Sequence, residues 1–177
     1  MKWIFLIAIF ATHEAWAATT NHKAHVHGIA KITLALEDET HGTIDLDCPA
    51  ESIYGFEHVA NTPAEKAAQA KGLGQLRGHP GSIVRLPSEC EIKTVKVEME
   101  KAEAGEKEAP SEEHHGEHAD VNASYSVKCV NSLKGARAWI GMFDVFPRLK
   151  AVSFQVLSPS GQSEKKIQSS HEFVTLP

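Results

Sequence analysis

Long apolar runs are absent from this chain beyond its first residues. The longest, residues 3–11, is about nine residues against the ~20 that a bilayer-spanning helix needs. Basic charge is also in deficit, with 18 Lys and Arg against 23 Asp and Glu and a net charge of −5. No basic face or basic-aromatic patch occurs, which excludes the usual nucleic-acid-binding classes and favours cations as partners. There is no His-Glu-x-x-His helix, no Gly-x-Ser-x-Gly and no Cys-His signature, so neither metallohydrolysis nor nucleophilic catalysis is expected, and the chain reads as a non-enzyme. Cysteine is scarce, and three is an odd number, so one thiol has no partner within the chain.

What is present begins with an export signal. Lys2 gives a positive start, the apolar run follows, and Ala15-Trp16-Ala17 puts small residues where a signal peptidase reads. Removal of residues 1–17 is expected, with Ala18 as the alternative end, and His13 leaves with the signal. Residues 18–177, about 160 in all, suffice for a single domain with its own core. An exported chain can keep a disulfide. Residues 91–100 and 121–129 both alternate apolar with polar, and an antiparallel pairing of the two brings Cys90 and Cys129 opposite one another. That pairing is favoured over pairs through Cys48, which reads as a small packed residue or a free thiol.

The remaining pattern is mixed. Ile32, Leu34 and Leu36 alternate with polar residues, as do Ile44, Leu46 and Cys48 after a turn, predicting a hairpin with one buried face. Thr62-Pro63-Ala64-Glu65 is a capping box with proline at the first helical position, and Gly78 followed by Pro80 ends the helix it starts. Trp139 to Phe146 suits a short helix or a strand leading into one, stopped at Pro147. Two more strands, residues 151–157 and 164–167, flank the turn Ser158-Pro159-Ser160-Gly161. Without a parallel-sheet rhythm this predicts one α+β domain: antiparallel hairpins, a capped helix after the first, and a loop between the central strands. That loop, residues 101–120, is rich in glutamate, short of apolar residues, and fits a flexible or functional insertion.

Eleven histidines carry the chemistry. His22, His25 and His27 stand near the N-terminus, His58 follows Glu57, and His114, His115 and His118 lie in the acidic loop. Imidazole is the commonest ligand for zinc, copper and nickel, and spacings of one to three residues suit shared coordination. Counted back along the first strand, His25 and His27 fall on its polar face about 7 Å apart. The simpler alternative for His58 is a hydrogen bond to Glu57 or backbone that caps the following helix. His41, His79 and His171 read as ordinary turn or strand-end residues.

Three stretches carry a family resemblance: Ala24-His25-Val26-His27-Gly28-Ile29-Ala30, Cys48-Pro49-Ala50-Glu51-Ser52-Ile53-Tyr54-Gly55-Phe56-Glu57-His58, and Phe146-Pro147-Arg148-Leu149. With the histidine-rich acidic loop, they resemble the ZrgA-like family of bacterial periplasmic zinc-binding proteins. Members commonly carry a residue other than cysteine where Cys48 stands. The resemblance implies a Gram-negative periplasmic protein of zinc acquisition, working alongside an ABC-type zinc importer. His25 and His27 match the His-x-His-Gly motif; Glu57 and His58 match Gly-Phe-Glu-His.

If the chain after Pro49 folds back over the polar face of the first hairpin, His25, His27, His58 and Glu57 supply a tetrahedral nitrogen and oxygen set for Zn(II). His22 would be an accessory ligand, and His114, His115 and His118 would feed the site from dilute solution. Copper and nickel would bind such histidines at least as well, leaving selection to geometry and supply, while calcium is disfavoured. Affinity should fall as the pH drops through ~6.5, because bound imidazole must be neutral. The competing reading is an envelope protein-interaction module, or a metal buffer that binds weakly through the loop alone.

Overall fold

A computed structural model describes residues 27–87, 89–101 and 119–177. The expected signal segment, His22, His25 and the loop histidines His114, His115 and His118 lie outside the described residues. The fold is a single α+β domain dominated by strands, as the residue pattern predicts. Two of its strands, β1 (Ile29–Leu36) and β2 (His41–Pro49), form the first hairpin with Leu34 opposite Ile44 and Ile32 opposite Leu46. The period-2 alternation places these side chains on one face, where all four are almost fully buried.

The hairpin turn is held by one carboxylate. Asp38 Oδ1 accepts the backbone N–H groups of Thr40 and His41 at 2.6 and 2.8 Å, and the Thr40 hydroxyl at 2.8 Å. The Thr40 backbone bond, then its hydroxyl, holds Asp38 well below the usual carboxylate range. A depressed folded-state value means that this stabilisation is complete above the ordinary value of 3.8 and is lost as the pH falls below it. Asp38→Asn should therefore melt at a lower temperature than the native chain near neutral pH. In a thermal-melt series, the gap should close as the pH falls below that value.

The second predicted hairpin joins β4 (Cys90–Lys101) to β5 (Ala119–Cys129), with Cys90 opposite Cys129 and the two joined by a disulfide. Pairing of β2 with β5 fuses the two hairpins into one sheet. On the other side, β1 pairs in parallel with β7 (Ala151–Ser158), which turns into β8 (Gly161–Ile167), giving the order β4-β5-β2-β1-β7-β8. Alternation alone announces neither the β2–β5 pairing nor the parallel β1–β7 contact, because both join segments far apart in the chain.

One face of the sheet carries polar residues such as Lys31, Thr33, Asp45, Asn122 and Ser124. The other is the core, with Ile32, Tyr125 and Phe154 fully buried. Helix α1 (Ala50–Tyr54) and helix α2 (Pro63–Gly78) contribute Ile53, Tyr54, Leu73 and Leu76 to that core. The chain after Pro49 thus packs with the apolar face of the first hairpin and not across its polar face, because Ile53 and Tyr54 take it there. Gly72 has a reason beyond helix propensity: a Cβ there would meet Ile53 Cγ2 at 2.9 Å, so its absence lets the two helices touch. The Tyr125 hydroxyl donates to the Leu76 carbonyl at 3.2 Å, which satisfies a buried phenol at the α2 contact.

A second sheet, ordered β3-β6-β9, completes the cover: β3 (Val84–Arg85), β6 (Arg137–Ile140) and β9 (Phe173–Thr175). Residues 139–146 do lead from a strand into a short helix, α3 (Met142–Val145), before Pro147. Cys48 is the free cysteine among the described residues and is completely buried. No helix among the described residues is long and apolar enough to cross a membrane.

Candidate functional site

The strand registers bring several sequence-distant segments to one end of the large sheet. Lys31 pairs with Asp47, Pro49 with Asp120, Ile29 with Ala151, and Lys101 with Ala119. The start of β1, the end of β2, the start of β7 and both strands flanking residues 102–118 therefore share that end. The disulfide and the Asp38 turn stand at the opposite end, where His41 pairs with Lys128.

His27 and Gly28 form a turn ahead of β1, so the strand does not run back through His27. Gly28 has φ 83°, a left-handed conformation that interrupts the alternation expected of an extended strand. Three bonds hold it: its N–H donates to the buried Ser52 Oγ at 3.2 Å, and its carbonyl accepts from Lys150 and Ala151 at 2.7 and 3.1 Å. Gly28, the last residue of the His-x-His-Gly motif, is thereby tied to α1 and to the residues that follow Phe146-Pro147-Arg148.

Gly55 ends α1 at φ 102° and sends the chain back toward this point. A Cβ on it would meet the Arg148 guanidinium at 2.9 Å, and Arg148 Nε stands 3.9 Å from Glu51 Oε1. The three segments singled out in the sequence are in contact here. Beyond Gly55 the two polar residues of Gly-Phe-Glu-His reach different partners. Glu57 Oε1 lies 3.3 Å from His27 Nδ1, whereas His58 Nε2 lies 3.1 Å from Glu65 Oε1.

His27 and Glu57, two of the predicted ligands, are thus brought together, and His58 goes to the first turn of α2. Among the described residues, no three His, Cys, Asp or Glu side chains are grouped to hold a metal ion. A histidine and a carboxylate supply two of the four donors of a tetrahedral zinc site. His25, the third expected donor, lies outside the described residues.

Glu65 is the residue that pattern reading misses here. Its capping role is legible, and the box is complete, with Thr62 Oγ1 accepting the Glu65 N–H and Glu65 Oε2 accepting the Thr62 N–H. The same Oε2 also takes the Asn61 N–H, which leaves Oε1 turned to His58. These backbone donors, Thr62 first, and then His58 lower the Glu65 carboxyl to about 2. The Phe56 ring stacks 4.9 Å from the His58 ring, and Tyr54 lies 4.7 Å behind Phe56.

Carboxylates and cations are mixed at this end, with Lys31 opposite Asp47 and Arg148 beside Glu51. Burial pushes the Cys48 thiol far above its ordinary value, and Asp47, Asp120 and Glu51 push it further. An inert, protonated thiol in the core is a packing group and not a soft ligand.

A family model described as ZrgA family zinc uptake protein matches residues 24–176, from the first motif to the last strand. The chain belongs to the ZrgA family. No curated protein matches it. Membership connects the chain to zinc uptake, and the match spans both histidine motifs as well as the acidic insertion. In this ZrgA family member the motif segments meet at the end of the sheet from which the strands flanking residues 102–118 depart.

Proposed function

We propose that the chain is an exported, periplasmic zinc-binding protein, not an enzyme, which captures Zn(II) as cargo and supports its delivery to an ABC-type importer. The observation that carries this reading is the contact of His27 with Glu57 at the sheet end from which the strands flanking residues 102–118 depart. The ordered site is built on His27 and Glu57, with His25 as a further ligand, and His58, which stands at the first turn of α2, would join it on zinc binding. His114, His115 and His118 form the capturing tier, with His22 as an accessory ligand. A loop of interchangeable histidines and glutamates raises the local concentration of ions, and a site built on strand and helix ends supplies geometry.

Calorimetric zinc titration tests the two tiers. Lys101 and Ala119 are directly paired, so residues 102–118 can be replaced by a two-residue Asn-Gly turn without moving the strands. Tight binding should survive that replacement. It should weaken more than ~100-fold in His25→Ala/His27→Ala, beyond the loss caused by an outer hydrogen-bond partner. If the loop replacement removes all binding instead, the protein is a zinc buffer, and the ordered site is refuted.

A further inference from the structure

His58 is constrained twice. Its ring lies against Phe56 with 34° between the planes, and its Nε2 is 3.1 Å from Glu65 Oε1. Glu65 cannot turn away, because Oε2 is held at 2.9 Å by both the Asn61 and the Thr62 N–H groups at the start of α2. At neutral pH a carboxylate only accepts hydrogen bonds, so the proton in the His58–Glu65 contact belongs to Nε2. A neutral imidazole with its proton on Nε2 has its lone pair on Nδ1.

We propose that Glu65 is a positioning residue which, by holding His58 through Nε2–H, commits that ring to presenting Nδ1 to zinc. The inference rests on the reading of His58 as a zinc ligand. Histidines that bind metals characteristically donate their second N–H to a carboxylate or carbonyl, which fixes the tautomer and raises ligand basicity. Here the orienting group is also the capping glutamate of a sixteen-residue helix. The rigidity of a helix start is thereby conferred on a half-exposed side chain in a loop, and one carboxylate closes the helix and aims the ligand.

The Glu65→Gln variant separates these two roles. Glutamine is accepted at this position of a capping box, so the fold is kept. An amide N–H₂ rotated toward His58 favours the opposite tautomer, and the carboxylate charge is gone. Zinc affinity measured by calorimetry should fall about 10- to 100-fold, while the helical circular dichroism signal is retained. Long-range ¹H–¹⁵N correlation spectra of the unsubstituted protein supply a readout that needs no variant. Without metal, His58 should carry its proton on Nε2, and added zinc should shift its Nδ1.

A proton on Nδ1, or zinc on Nε2, would overturn the proposal. So would native affinity in Glu65→Gln alongside lost affinity in His58→Ala, and in that case the role of His58 in zinc binding survives alone. Native affinity in His58→Ala overturns both, and the reading of His27 and Glu57 is then judged by the titration described above.

Discussion

Replacing both Cys90 and Cys129 by serine is expected to cost about 4 kcal/mol of stability, from the loss of chain entropy that a crosslink across 39 residues imposes on the unfolded state. For a domain of this size that is a fall of roughly 10 °C in melting temperature. The two cysteines are already directly opposed in the β4–β5 register, so hydrogen bonding keeps them close in the folded state, and the loss acts on the unfolded ensemble. Nearby, the Cys129 N–H donates to Thr40 and the Val130 N–H to Glu89, tying this end of the sheet together. Because the disulfide is at the end opposite His27 and Glu57, zinc affinity of the serine pair should equal that of the native chain below its melting temperature. Paired thermal melts and titrations check this. Unchanged stability would show that strand pairing alone holds this hairpin.

Phe154→Ala is expected to cost about 3–5 kcal/mol, the range for emptying a fully buried aromatic site. Phe154 lies beside Ile32 across the parallel β1–β7 contact, and Lys165 of β8 is its other neighbour. Against a total stability of 5–15 kcal/mol for ordinary domains, the loss can consume much of what is available. Phe154→Leu keeps most of the volume and should cost about 1–1.5 kcal/mol. Urea unfolding of the two variants should give midpoints in that order. An equal and small cost for both would mean that the site collapses around the missing ring.

Much of this architecture can be read from residue pattern because it is local. The Thr62 capping box, the alternation of β1 and β2 and the opposition of Cys90 and Cys129 each depend on residues within one element or one hairpin. The β1–β7 pairing and the three-stranded sheet join segments far apart in the chain, and strands of two to four residues such as β3 and β9 carry too little alternation to declare themselves. At the site, the three segments that carry the family resemblance are visible in the sequence, whereas the direct pairing of His27 with Glu57 is not.

The partner of His58 was not visible. Glu57, its sequence neighbour, is the obvious candidate, but Glu57 goes to His27 instead. Glu65 reaches His58 because its capping role uses only one carboxylate oxygen. Likewise, the left-handed turn at Gly28 overrides the strand periodicity that placed His27 on a polar face.

The Ile29–Ala151 pairing also sets an order of events. The residues synthesised first along the described chain are held by some of those synthesised last, and contacts of such separation form late because loop-closure entropy must be met before they contribute. Of the three bonds at Gly28, the one to Ser52 comes from nearby in the chain, whereas the two on its carbonyl wait for the N–H groups of Lys150 and Ala151. A nascent or truncated chain ending before residue 150 holds His27 and Glu57 with only the Ser52 bond to seat the turn at Gly28. On the proposed zinc-binding reading, ordered loading would belong to the finished molecule, and fragments carrying only the first motif should handle ions as loose peptides do.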